Sequence, residues 1–160
     1  MPYLGSLASL AAMTRPVRLA VRGILLKDDK LLLVNAYAGR GDLWCAPGGG
    51  VDPHRSLPEN LAREIHEETG LTVEVGAPCL VNEFHDPNGS FHQVDIYFRC
   101  RLLSGELRAD WHDPEGVVSL RRWVTRSELA GLRVKPDSLA AVAWEDADAS
   151  TYDPLEPILR

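Results

Sequence analysis

No feature constrains this chain more than Arg63-Glu64-Ile65-His66-Glu67-Glu68-Thr69-Gly70, entered through Gly48-Gly49-Gly50. Glu64, Glu67 and Glu68 fall at i, i+3 and i+4, which sets three carboxylates on one face of a helix. Like charges so spaced repel, by roughly a few tenths of a kcal/mol per exposed pair and more where water is excluded. A helix that keeps all three together calls for a cation. Carboxylate oxygens suit a hard divalent ion, Mg²⁺ or Mn²⁺. Taken alone, an acidic triad is more often a solvated helix face, and a glycine run more often a turn than a phosphate cradle. Placed directly before this helix, the glycine run favours the cradle.

At 160 residues the chain reads as one domain, large enough for a real core. A net charge of −6 argues against a general nucleic-acid-binding surface. No apolar run reaches transmembrane length. Cys45, Cys79 and Cys100 are odd in number and widely spaced, which makes neither a metal motif nor a disulfide framework, so a cytoplasmic setting is the default. We expect an N-terminal extension over 1–16, a domain over 17–146 and a loosely held acidic tail over 147–160. Met13, just before the first strand-like segment, is an alternative start to Met1.

Val17–Leu26 and Lys30–Ala36 read as a hairpin about the turn signal Asp28-Asp29, and Leu43–Ala46 as a short strand. Ser56-Leu57-Pro58-Glu59 has the form of a capping box, Leu61 and Ile65 supply a buried stripe and Gly70 a stop, so a helix is predicted over 57–69. Further strands are expected over 71–84, broken at Gly76-Ala77-Pro78, then over 91–103 and 117–124. A loop is expected over 104–116, a short helix at Ser127-Glu128-Leu129 and a last helix over 136–145. Helices covering both faces of a mixed sheet is the natural arrangement.

The stretch Gly49–Leu71 resembles the Nudix box, G-x5-E-x7-R-E-U-x-E-E-x-G-U, with U a bulky aliphatic residue. Gly49, Arg63, Glu64, Ile65, Glu67, Glu68, Gly70 and Leu71 match in register. Leu43-Trp44, Pro47-Gly48-Gly49-Gly50, Arg122-Trp123-Val124 and Glu128-Leu129 are similar to what flanks the box in many family members. The resemblance covers about residues 17–136. It implies an α/β fold, a Nudix-type α/β/α sandwich with a mixed β-sheet. It also implies hydrolysis of a diphosphate linked to another moiety, such as a nucleotide sugar or an ADP-ribose type. Oxidised nucleoside triphosphates are the alternative substrate class, and a nucleotide-sensing module without catalysis is the alternative function. Many relatives are homodimers. One position departs: the pattern asks for Glu where this chain has Arg55.

On this reading Glu64, Glu67 and Glu68 hold the metal, with a backbone group of Gly48 at close range. Arg63 orients a glutamate by a charge-assisted hydrogen bond. The general base is Glu115 or Asp113 from the later loop, or equally Glu67 or Glu68 from the box. Gly49 and Gly50 approach the substrate, and Arg55 either meets a phosphate or is a plain surface residue. Trp44, Phe84, Phe91 and His85 are candidates to stack on a base or bind a ribose, though a Trp placed as Trp44 is more often core or hairpin packing. Arg22 and Arg40 are candidates for phosphate. His66 points off the ligand face.

Overall fold

A computed structural model describes residues 16–145 and 149–160. The extension and the choice between Met1 and Met13 lie outside the described residues, apart from Pro16. β1 (Arg18–Lys27) and β2 (Lys30–Asn35) form the hairpin, pairing Leu26 with Leu31 and Lys27 with Lys30. Asp28 and Asp29 turn it at φ of 50° and 61°, left-handed backbone that Asp tolerates better than most residues. β3 (Trp44–Cys45) joins β2, and β4 (Gly48–Gly50) lies antiparallel to β1 at Ala20–Arg22. A methyl group on Gly48 would stand 1.9 Å from the Val21 carbonyl oxygen, so only glycine fits this approach.

The helix α1 spans Leu57–Thr69, as the capping and periodicity predict. Ser56 Oγ accepts from the Glu59 N–H at 3.2 Å, the Glu59 carboxylate accepts from the Ser56 N–H at 2.8 Å, and Gly70 closes the helix at φ 77°. β5 (Thr72–His85) and β6 (His92–Ser104) make the long antiparallel pair of the sheet. Gly76-Ala77-Pro78 does not interrupt β5; it shifts the register on either side of Pro78. β1 runs parallel to β6 over eight paired residues, which makes the sheet mixed.

β7 holds only Arg121–Val124 of the strand expected over 117–124. The buried Asn35 side chain accepts the N–H groups of Ser119 (3.0 Å) and Leu120 (2.9 Å) and donates to the Val117 carbonyl (2.9 Å), taking the groups a ladder would use. The last helices are α2 (Arg126–Ala130) and α3 (Leu139–Trp144). The tail is not loosely held over 149–160. Its strands β8 (Thr151–Tyr152) and β9 (Glu156–Pro157) pair in parallel with β5.

Side chains alternate across the sheet into two cores. Val21, Leu25, Leu32, Val73 and Phe98 pack with Leu61, Ile65 and Leu71 under α1. Ile24, Leu31, Leu33, Leu80 and Tyr97 pack with Leu129, Leu139 and Val142 under α2 and α3. The result is the expected α/β/α sandwich. Among the described residues no helix is long and apolar enough to cross a membrane.

Candidate active site

α1 buries Leu61 and Ile65 against the sheet, and helical periodicity then turns Glu64 and Glu68 toward β4, where both are nearly buried. Glu67 is half-buried beside them. Glu64, Glu67 and the loop acid Glu115 bring carboxylate oxygens within 4.8 Å of one another. Arg63 holds two of these, Glu64 and Glu67, each at 3.2 Å.

Glu68 is turned differently. Its carboxylate accepts the Gly48 N–H at 3.1 Å. Burial pushes its pKa up to about 8; Arg22 and that N–H pull against the rise, while Glu64 and Asp113 add to it. Burial likewise raises Glu64, opposed by Arg63 and reinforced by Glu115 and Glu67. An all-oxygen donor set whose burial and mutual repulsion resist ionisation is what a hard divalent cation relieves, so these residues fit one.

The glycines serve the carboxylates. A methyl on Gly49 would stand 2.6 Å from a Glu64 carboxylate oxygen, and one on Gly50 2.8 Å from the Arg18 guanidinium. Gly48 donates to Glu68 and accepts from Arg22 Nη1 at 3.4 Å. Asp113 is occupied by its own loop: its carboxylate accepts the N–H groups of Glu115 (3.0 Å), Val117 (3.1 Å) and Val118 (2.8 Å). That turn presents Glu115 to the box helix.

Past Gly48 a half-open cavity of about 280 Å³ opens on the other face of the sheet. Phe84, Phe91 and Tyr37 line its sides, and Arg18, Arg22, Gln93 and Asp95 its polar floor. The floor is internally bonded: Arg18 donates to Gln93, Gln93 to Asp95 at 3.0 Å, and Arg22 pairs with Asp95 at 3.2 Å.

The sequence profile described as NUDIX domain matches residues 16–144. The chain belongs to the NUDIX family. It is 36% identical over 94 residues to an ADP-ribose pyrophosphatase of Methanocaldococcus jannaschii, covering 56% of this chain and 54% of that one. It is 32% identical over 130 residues to the human nucleoside diphosphate-linked moiety X motif 6, covering 71% and 39%. The chain thus spans about half the length, or less, of these curated relatives. In fold it is similar to an ADP-ribose pyrophosphatase from Streptococcus suis (TM-score 0.63, 23% identity, covering 88% of this chain and all of that one). A UDP-X diphosphatase gives a TM-score of 0.65 at 22% identity, covering 94% and 75%.

In this NUDIX domain Arg55 is exposed, beside Glu59 rather than in the acidic cluster. Asp52 contributes a carboxylate to Arg63 instead, at 3.2 Å, and Asn60 Oδ1 accepts from Arg63 at 3.1 Å. Trp44 does not line the cavity. It is 8% exposed in the core, with the Arg122 guanidinium 5.6 Å above its ring. Phe84, Phe91 and Arg22 do line it, whereas Arg40 lies outside it, half-buried and paired with Asp42. His66 is exposed, edge-on to Trp111 at 5.4 Å.

Sequence reasoning missed several residues. Trp111 donates from Nε1 to the Glu67 carbonyl at 2.8 Å, and Arg121 donates to the Glu68 carbonyl, so both fasten the last turn of the box helix. Tyr37, Lys135, Ile158 and Leu159 line the cavity. A lone Trp in a polar loop was the one available signal for Trp111; the others carry no motif.

Proposed function

We propose that this NUDIX domain hydrolyses the diphosphate of a nucleoside diphosphate linked to a further moiety. The reading rests on one juxtaposition. Gly48 joins the acidic cluster, through Glu68, to the aromatic cavity, through Arg22. A polyanionic diphosphate spanning the two would have carboxylates at one end and an aromatic-lined slot for a base at the other. The names of the two relatives, an ADP-ribose pyrophosphatase and a nucleoside diphosphate-linked moiety X protein, support the same substrate class.

Glu64 and Glu67 would hold Mg²⁺ or Mn²⁺, with Glu68 and the Gly48 backbone adjacent, and the exposed Glu115 carboxylate lies within reach of theirs. Such a cation offsets phosphate charge, lowers the pKa of water and stabilises the leaving oxygen. Arg63 fixes the Glu64 and Glu67 carboxylates by charge-assisted hydrogen bonds. Hydrolysis forms one bond from a water oxygen to phosphorus and breaks the bridging P–O bond. A carboxylate of the cluster takes the water proton, and Glu115 is the acid best presented for it.

The test is a panel of ADP-ribose, nucleotide sugars, a diphosphoinositol polyphosphate and nucleoside triphosphates, oxidised ones included. Each is incubated with Mg²⁺, Mn²⁺ or chelator, and substrate loss and products are quantified by ion-exchange chromatography. Metal-dependent release from the nucleoside diphosphate derivatives is expected, and Glu115→Gln should slow it by about 10²–10⁴-fold if Glu115 is the base. Preferred turnover of triphosphates would move the substrate class to oxidised nucleotides. Absence of turnover with every compound would leave a nucleotide-sensing module.

A further inference from the structure

The match to the NUDIX domain ends at residue 144, yet residues beyond it finish the cavity. β8 and β9 carry the chain along β5, and the Ile158 N–H then donates to the His85 carbonyl at 2.9 Å. Ile158 and Leu159, half-buried, join Ala36 and Leu43 as the aliphatic part of the cavity lining. The strap is tied down along its length. Asp153 accepts from Ser138 at 2.6 Å and from Asn82 at 3.3 Å. Glu156 pairs with Lys135 at 3.1 Å, and Arg160 pairs with Asp86. The Tyr37 hydroxyl donates to the Leu159 carbonyl at 2.6 Å, which joins the strap to the loop after β2 across the cavity.

The cavity, about 280 Å³ and open to solvent, is large enough to admit part of a small ligand. It has an aromatic wall at Phe84 and Phe91, an aliphatic wall at Ile158 and Leu159, and a charged floor. That composition suits a flat heterocycle held between apolar surfaces with its polar edge downward.

Resting on the function proposed above, we propose that the strap 149–160 is the specificity element of this enzyme: Ile158 and Leu159 form the wall against which the substrate's base packs. They touch the part of the substrate remote from the reacting phosphorus. Their loss therefore weakens binding in ground state and transition state alike, and raises KM while sparing kcat.

The experiment compares the full chain, the full-length double variant Ile158→Ala/Leu159→Ala and a chain ending at Leu155. Each is assayed with ADP-ribose and with UDP-glucose, and folding is checked by thermal melting. The double variant should raise KM about tenfold or more for the better substrate, with kcat changed by less than about twofold. The shortened chain should also bring the two kcat/KM values closer together. Unchanged KM in a folded double variant overturns the proposal. So does a higher kcat/KM in either form, which would make the strap an obstruction. If the full chain turns over neither compound, the proposed activity has failed separately. The strap is then judged by calorimetric binding of AMP and UMP: a loss of about tenfold in the double variant upholds it, and equal affinity overturns it.

Discussion

At Gly49 the fold tolerates no side chain without cost to a carboxylate. The atom that an alanine methyl would meet at 2.6 Å is the end of the Glu64 side chain, which can swing aside, rather than backbone, which cannot. Gly49→Ala should therefore fold, with a melting midpoint close to the parent's, while divalent-cation affinity falls by about 10–100-fold, the range seen when the support of a ligand is disturbed. Titration calorimetry with Mn²⁺ measures the affinity. An unchanged value means Glu64 is not held against β4 in solution. Gly48 is a different case, because its hypothetical methyl meets the Val21 carbonyl oxygen. Asp113 shows why residue type alone could not rank the loop acids. The sequence ranks Glu115 ahead of Asp113 by its place before the Trp123 strand, and the three N–H bonds to Asp113 show it shaping the turn that carries Glu115.

The box helix was legible as an element because its signals are local. Ser56 and Glu59 form a reciprocal cap, Leu61 and Ile65 repeat at four residues, and Gly70 takes a left-handed φ, all within a 15-residue window. Ser56→Ala should lower stability by about 1 kcal/mol, read from urea unfolding, because the Glu59 N–H loses its partner. Strands were less legible than helices. Val117–Leu120 has strand-like composition, but the N–H groups of Val117 and Val118 go to Asp113 and those of Ser119 and Leu120 to the buried Asn35, more than 80 residues distant in sequence. The strap at 149–160 has weak strand propensity and pairs because β5 offers an edge.

Across the whole molecule the acidic site sits on the rim of one core and the cavity over the other, joined through β4. That arrangement has a thermodynamic signature. The carboxyls of Glu64 and Glu68 have folded pKa values above their ordinary 4.5, Glu68 at about 8. An acid raised in the folded state contributes stability that is full below its unfolded pKa and lost as pH rises through the folded one. Metal-free protein should therefore lose stability between about pH 4.5 and 8, in the window these two groups define. The paired carboxylates with lowered values, such as Glu59, Asp86 and Glu128, act in the opposite sense and below that window. Mg²⁺ should restore more stability at pH 8 than at pH 5, because bound cation stabilises the ionised forms. Melting midpoints against pH, with and without Mg²⁺, give the measurement. Glu68→Gln should flatten the metal-free profile, and a profile already flat in the parent chain would mean Glu68 is hydrated.

The sequence by itself determined the box helix, its caps, the glycine approach and the family, because each depends on residues close together whose spacing maps directly onto one turn of helix or one tight backbone contact. It also supplied Phe84, Phe91 and Arg22 as candidates, without saying that they meet. Tertiary structure alone decided that Glu115 joins Glu64 and Glu67 while Glu68 turns to Gly48, that Trp44 is core, and that Asp52 rather than residue 55 reaches Arg63. Those outcomes follow from strand register and loop path, where pairing energies between distant segments set positions that no local pattern encodes.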